Sequence, residues 1–255
     1  MRTLPNALLG PDSPGVVDLA RRLGASSVRG NHEDKVLLTA AEVDLYHDPA
    51  AITPFPDSEE PTSPIPSFPE GEPTDIDVDV NATATATADP TPETTRRELS
   101  LSTKDSKVLE LAKSFNKEQR SWLQSCPVIL RIGEIGKLHN VVVVHAGLVP
   151  DIPLDEQDPY HVMNMRTIDL NTRLPSETRA HTPWEKFWNH QQQKKPAEQR
   201  MTVIYGHDRK RGKNIQKYSM GLDSGCVGGG QLTAMVIEEG GKHHFAHVKC
   251  KGYVD

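Results

Sequence analysis

The apolar positions fall into two blocks, separated by a long stretch with no period at all. In the first block Val16, Val17, Leu19, Ala20 and Leu23 recur at helical spacing. Gly10-Pro11-Asp12-Ser13-Pro14 precedes them as a turn-and-cap signal, with Ser13 the expected cap and Pro14 at the first helical position. Gly24 ends that helix, residues 26–29 read as a short strand, and residues 33–45 turn helical again. In the second block Val108, Leu109, Leu111, Ala112 and Phe115 form one helical face, and a further helical stretch around Trp122 and Leu123 stops at Pro127. Residues 128–132 and 141–144 are apolar and largely β-branched, as buried strands are. Residues 231–237 and 244–248, joined through Gly240-Gly241, predict a hairpin. Helices interleaved with strands define an α/β class.

Between the blocks, residues 48–102 are dense in Pro, Thr, Ser and acidic side chains and include an Ala-Thr repeat at 82–88. Without apolar periodicity such a stretch cannot offset its ordering entropy, so it is expected to be a disordered surface insertion. Residues 1–47 and 103–255 are then two parts of one domain, since a loop of this length closes at modest entropic cost. A hydrophobic content of 36% with 5% aromatics agrees with a chain that packs only in part.

The net charge of −6 argues against a bulk grip on nucleic acid or on an anionic membrane, leaving room for a local basic pocket. No sequence-specific nucleic-acid binding is expected. No apolar run is long enough to cross a bilayer, and the first ten residues lack a signal peptide's apolar core. Cys126, Cys226 and Cys250 make neither a CxxC nor a zinc-finger spacing, and this odd, sparse set fits a reducing compartment. A cytoplasmic protein is the expectation, with a vacuolar or membrane-anchored longer form left open.

Candidate chemistry lies in three segments: Gly30-Asn31-His32-Glu33, His145-Ala146-Gly147-Leu148 and Gly206-His207-Asp208. Each sets a histidine beside glycine at or just beyond an apolar strand, where a polar side chain can project into a shared cleft. Neutral imidazole binds zinc, manganese or iron, and an amide oxygen adds a harder ligand. A lone histidine at a strand end is usually structural; three with one local pattern are not so easily dismissed.

Taken in order, Val28-Arg29-Gly30-Asn31-His32-Glu33, His145-Ala146-Gly147-Leu148-Val149-Pro150, Tyr205-Gly206-His207-Asp208 and Leu222-Asp223-Ser224-Gly225-Cys226-Val227-Gly228-Gly229 resemble the motifs of the calcineurin-like metallophosphoesterases. The nearest resemblance is to the ApaH-like phosphatases, relatives of the symmetrical diadenosine-tetraphosphatases and of fungal endopolyphosphatase. His-Ala-Gly-Leu fits that branch better than the Ser/Thr protein phosphatases, which favour His-Gly-Gly. The resemblance implies a four-layer fold of two packed mixed β-sheets flanked by helices. It implies Asn31, His145 and His207 as ligands of one ion in a two-metal centre, of the Mn, Zn, Co, Fe or Mg class. His32 would be the general acid at the leaving oxygen. Two ions together would activate the attacking water and clamp the phosphoryl oxygens.

Arg166 and Arg209 are candidates to hold phosphate, and Asp208 and Asp223 to support the ligating histidines from behind. The substrate is expected to be a phosphorylated small molecule or polyanion: a dinucleoside polyphosphate, polyphosphate or phosphoprotein. The family's Asp-x-His motif does not occur, and Gly10-Pro11-Asp12-Ser13 matches only the tail of the next one. Residues 1–9 hold no Asp, Glu or His, so the expectation is an N-terminally truncated domain. It would lack its first strands, hold at most one ion and hydrolyse poorly. The alternatives are an inactive chain that at most binds a partner, and a Ser/Thr protein phosphatase.

Several features carry blander expectations. Gly225–Gly230 has no Gly-Lys-Ser/Thr behind it and reads as a tight connection into the next strand, and Cys226 as packing near the site. Trp184 and Trp188 are four apart and belong to one helix face. His243, His244 and His247 read as surface or strand residues. Lys210, Arg211 and Lys213 form a small basic cluster that either extends a polyanion track or is solvated.

Overall fold

The computed structural model describes residues 10–47 and 103–253, so the expected insertion at 48–102 lies outside the described residues. In chain order the elements are α1 (Ser13–Arg22), α2 (Asn31–His47), α3 (Thr103–Ser114), α4 (Lys117–Ser125), β1 (Ile129–Glu134), β2 (Asn140–Val144) and α5 (Pro159–Asn164). There follow β3 (Thr167–Ile168), β4 (Pro175–Ser176), β5 (Thr182–Pro183), α6 (Trp184–Lys194), β6 (Met201–Tyr205), β7 (Asn214–Ile215), β8 (Ser219–Gly221), β9 (Gln231–Ile237) and β10 (His243–Lys249).

A mixed five-stranded sheet, ordered β1-β2-β6-β8-β7, forms the centre. β2, β6 and β8 run parallel, with β1 and β7 antiparallel at the edges. The valine run of β2 explains its central place: a strand buried on both faces needs apolar side chains in both directions. Val142 and Val144 face one core with Val203, Tyr205, Trp184 and Trp188. Val141 and Val143 face another with Ile204 and Met220, against which Met235 and Ile237 of β9 pack. The layers are therefore α6, the sheet, and the antiparallel β9–β10 hairpin. The small antiparallel sheet β4-β3-β5 precedes α6, and α1 to α4 share a third core through Val17, Val36, Leu37, Ala112 and Leu123, joined by Phe115 just after α3. Trp184 and Trp188 are both in the core, as their spacing predicts.

Three local expectations need correction. The cap of α1 is Asp12, whose Oδ1 accepts from Gly15 N at 2.9 Å, while Ser13 is already helical. Pro14 sits in the first turn as expected. Residues 26–29 form no strand: Ser26 makes an isolated bridge, and Arg29 N donates to Pro127 O at 2.9 Å. Val28 is the single apolar anchor there, too little to hold a ladder. The cysteines are not all reduced thiols either, because Cys226 and Cys250 form a disulfide and only Cys126 remains free among the described residues.

That disulfide ties the Gly225–Gly230 turn to the end of β10, beside the main-chain bond from Cys250 N to Gly230 O at 3.0 Å. The bridged residues are 24 apart, so the cross-link removes appreciable loop entropy from the unfolded chain. The double variant Cys226→Ser/Cys250→Ser is expected to lose about 2–4 kcal/mol in urea unfolding. Dithiothreitol should lower the wild type toward it and leave the variant unmoved. Equal midpoints for the two proteins would remove the cross-link from this account.

Candidate metal centre

The parallel register of β2 and β6 pairs Val143 with Ile204, so both strands end at the same edge of the sheet. Gly206 N donates to His145 O at 2.9 Å and carries the pairing one step past the strands. His145 and His207 therefore leave the sheet side by side, outside the carboxyl ends of parallel strands, where α/β sheets form binding crevices. The start of α2 supplies the third group. Gly30 O accepts the first helical bond from Asp34 N at 2.9 Å, and the Glu33 carboxylate accepts from Gly30 N at 3.1 Å. The Glu33 side chain thus caps the Gly30 amide, one half of a capping box, and steadies the first turn that carries Asn31 and His32.

Two glycines let the pieces close. A Cβ on Gly30 would lie 2.5 Å from His145 Nδ1, and one on Gly147 2.6 Å from the Trp184 indole. The imidazole of His145 thus rests on bare backbone, and the turn after it rests on α6. His207 has φ of 69°, with Asp208 N bonded back to Gly206 O at 2.9 Å. It stands at the centre of a strained three-residue turn, a conformation that clusters at functional sites.

His145 Nε2 lies 3.0 Å from Asn31 Oδ1 and 3.1 Å from His207 Nδ1. His207 Nε2 lies 3.1 Å from the Asn164 carbonyl, which can only accept. The proton therefore belongs on Nε2, leaving a lone pair on Nδ1 that points at the other two groups. Ligands at right angles on an ion with bonds of about 2.1 Å stand about 3 Å apart. An oxygen and two nitrogens at this spacing, with one ring fixed from behind by a carbonyl, fit a single divalent ion of the zinc, cobalt or manganese class. Among the described residues no cluster of three or more His, Cys, Asp or Glu side chains has ligand geometry, and no carboxylate joins this one.

Burial first, and nearby cations second, disfavour the charged form of the cluster's imidazoles. Burial, with His207, His32 and Arg166 adding to it, holds His145 well below the usual imidazole value. Burial, then Arg166, push His207 down to about 4 against the pull of Asn164 O and Asp208. His32, more open to solvent, is lowered by burial and by Lys35. Arg166, which acts on both His145 and His207, donates to Glu177 O at 2.7 Å and keeps a buried Nε with no hydrogen-bond partner among the described residues.

The structure thus brings Asn31, His145 and His207 together, with His32 and Arg166 beside them. It does not bring Asp208 or Asp223 to the histidines. Asp208 is paired with Arg179 and lies 3.4 Å from Arg211 Nε. Burial would raise its pKa, but those guanidinium groups bring it below the ordinary carboxylate value. Asp223 accepts from Gly225 N at 3.0 Å, and burial raises it. The expected support from these carboxylates is therefore replaced, at His207, by the carbonyl of Asn164, since β6 turns Asp208 away toward the arginines. Arg209 lies apart from the ligand cluster, its side chain against Gly225 and Gly228.

Two features escaped the sequence. Arg179 pairs with Asp208 and acts electrostatically on Arg166, though no motif marks it. Glu185, 1% exposed, accepts Arg211 Nη1 through both oxygens at 2.7 and 2.6 Å and Asn214 Nδ2 at 3.0 Å. The Glu185–Arg211–Asp208 chain anchors the turn carrying His207 to α6. The basic run around Arg211 was visible; its buried partner, 26 residues away, was not.

No family model matches the chain. The zinc-dependent endopolyphosphatase of Saccharomyces cerevisiae is 30% identical over 105 residues, which is 37% of this chain and 30% of the yeast protein. The chain thus spans under a third of that relative's length. A crystal structure of a protein assigned as a diadenosine tetraphosphatase superposes with a TM-score of 0.60 and 29% identity, covering 95% of this chain and 76% of its own. The fold is a mixed α/β arrangement like that protein's, and the chain is related to the metallophosphoesterases. The two matches support an ApaH-like relationship, and both carry the names of hydrolases.

In the metal-free protein the lowered histidines make stability depend on pH. With a folded pKa of about 4 against an ordinary 6.5, His207 takes up a proton more readily when unfolded. Its contribution is fully present above about pH 6.5 and is lost as pH falls toward about 4, and His145 acts in the same direction. The melting temperature in metal-free buffer should drop across that window, and less so in His207→Gln. An identical pH profile for the two proteins would contradict the assignment.

Proposed function

We propose that the chain is a metal-dependent phosphoesterase domain that hydrolyses phosphoric ester or anhydride bonds. The carrying observation is the convergence of Asn31 Oδ1, His145 Nε2 and His207 Nδ1, with the far nitrogen of His207 tied to Asn164 O. These atoms would hold one divalent ion, which supplies Lewis acidity toward a phosphoryl oxygen. Arg166, with its unpaired Nε, and Arg179 beside it hold the remaining phosphoryl oxygens. The amino end of α2 adds its partial positive charge where the phosphate sits. His32, in that first turn and partly exposed, protonates the leaving oxygen.

The relatives' names support phosphoanhydrides as substrates: polyphosphate for one, diadenosine tetraphosphate for the other. The Ser/Thr protein phosphatase alternative has no such support. The reading of a chain that binds without turnover has one observation in its favour, namely that no described carboxylate joins the ligand set. No described helix is long and apolar enough to cross a membrane. The Cys226–Cys250 disulfide favours an oxidising compartment over the cytoplasm.

Hydrolysis of an aryl phosphate and of diadenosine tetraphosphate with added zinc, cobalt or manganese tests this. Metal-dependent turnover is expected, and His32→Ala should reduce it by about 10²–10⁴-fold while leaving the fold intact. A folded, metal-loaded protein without turnover on either substrate would select the binding reading instead.

A further inference from the structure

Of the basic cluster that follows His207, two members have partners and two do not. Arg211 is consumed by Glu185 and Asp208, and Lys213 lies over the Phe245 ring at 5.2 Å and near His247. Arg209 and Lys210 are exposed and form no hydrogen bond or ion pair with a described residue, although Asp223 lies within electrostatic reach of Arg209. Both line an open cavity of about 710 Å³, with Gly225, Gly228, Gly230, Gly252 and Tyr253.

The far wall of this cavity is fixed. Cys226–Cys250 joins the glycine turn to the end of β10, and Tyr253 N donates to Val227 O at 2.8 Å. The four glycine amides of the turn are occupied: Gly225 N bonds Asp223, Gly228 N and Gly230 N bond Gly225 O, and Gly229 N bonds Cys226 O. An anion in the cavity would therefore be held chiefly by the two cationic side chains, not by the glycine amides. An open, glycine-lined cavity with two cations that form no hydrogen bond or ion pair with a described residue suits a flexible, strongly charged and slender ligand. Arg209 is two residues from His207, so their backbones are no more than about 7 Å apart.

We propose that this cavity binds the distal phosphates of a linear oligophosphate whose scissile phosphate lies at the Asn31–His145–His207 cluster. The proposal rests on the phosphoesterase reading above and adds a second grip to it. Its chemistry is a chain of at least three phosphates, either free or bridging nucleosides. Arg209 is the principal contact, since its planar fork can take two phosphate oxygens, and Lys210 adds a second charge. A single phosphate fills only the ligand cluster and gains nothing from either residue.

Calorimetric titration in metal-free buffer, where hydrolysis does not intervene, provides the test. The probes are orthophosphate, tripolyphosphate and ATP. The proteins are the wild type, Arg209→Lys and the double variant Arg209→Gln/Lys210→Gln, each checked by thermal melting. The wild type should prefer tripolyphosphate over orthophosphate by at least about tenfold, a preference that shrinks with added KCl. The double variant should lose that preference, and Arg209→Lys should keep part of it.

Equal affinity for tripolyphosphate and ATP would identify the phosphate chain as the feature read. Tighter ATP binding, with the excess lost in Tyr253→Ala, would add stacking of a base at the rim and point to nucleoside-bridged chains. A wild type without preference, or a folded double variant that retains it, overturns the proposal. Because the binding is read without metal, absence of aryl phosphate hydrolysis would leave this result standing. Retained preference in the variant would overturn the cavity assignment even where hydrolysis is found.

Discussion

Val143 of β2 pairs in parallel with Ile204 of β6, and from that register follows almost everything the site can do. A slip of one residue would reverse every side chain on β2, sending Val142 and Val144 away from Trp184 and Trp188. It would also separate the ends at which His145 and His207 emerge. Two apolar cores, one on each face of the sheet, guard against the slip. The ligand geometry is therefore a by-product of hydrophobic packing, with the histidines placed one and two residues beyond strands that have no alternative register.

Holding polar groups at that edge costs free energy, and the surroundings offset it unequally. His145 is buried to 1% exposure, with Nδ1 lacking a hydrogen-bond partner among the described residues. Such an orphaned atom is uncommon, and leaving it unpaired costs free energy. His207 is held in a left-handed turn, and the Glu185–Arg211–Asp208 chain braces that turn from α6. Breaking a buried pair of this kind leaves an uncompensated charge, which costs about 3–5 kcal/mol. The brace thus both stabilises the fold and positions the turn that carries His207.

What the sequence disclosed and what it hid divide along a physical line. The valine run, the glycines beside histidine and the aromatic pair of α6 all act locally, so they were legible. Asn31, His145 and His207 stood out through their local motifs, although the strand expected before Asn31 is absent and Asn31 instead opens α2. Long-range pairings were not legible. Glu185 and Arg211 lie 26 residues apart, and neither has a neighbour that announces a buried ion pair. Cys226 and Cys250 lie 24 apart in no recognised spacing, and the turn that joins them depends on β9 and β10 being paired. The pairing of Asp208 with Arg179, 29 residues away, was hidden for the same reason, whereas its contact with Arg211 is local. The cap of α1 was displaced by one residue, within the usual ambiguity of a turn containing both Asp12 and Ser13.

The central claim is that Asn31, His145 and His207 are the ligands of one divalent ion, and titration with cobalt tests it most directly. The account predicts one tightly bound ion per chain, with visible absorption bands that report imidazole ligation. His207→Ala and Asn31→Ala, each still folded by circular dichroism, should weaken binding by at least about tenfold. Cobalt bound with unchanged affinity and spectrum by both folded variants would show that the ion, and any chemistry it supports, lies elsewhere.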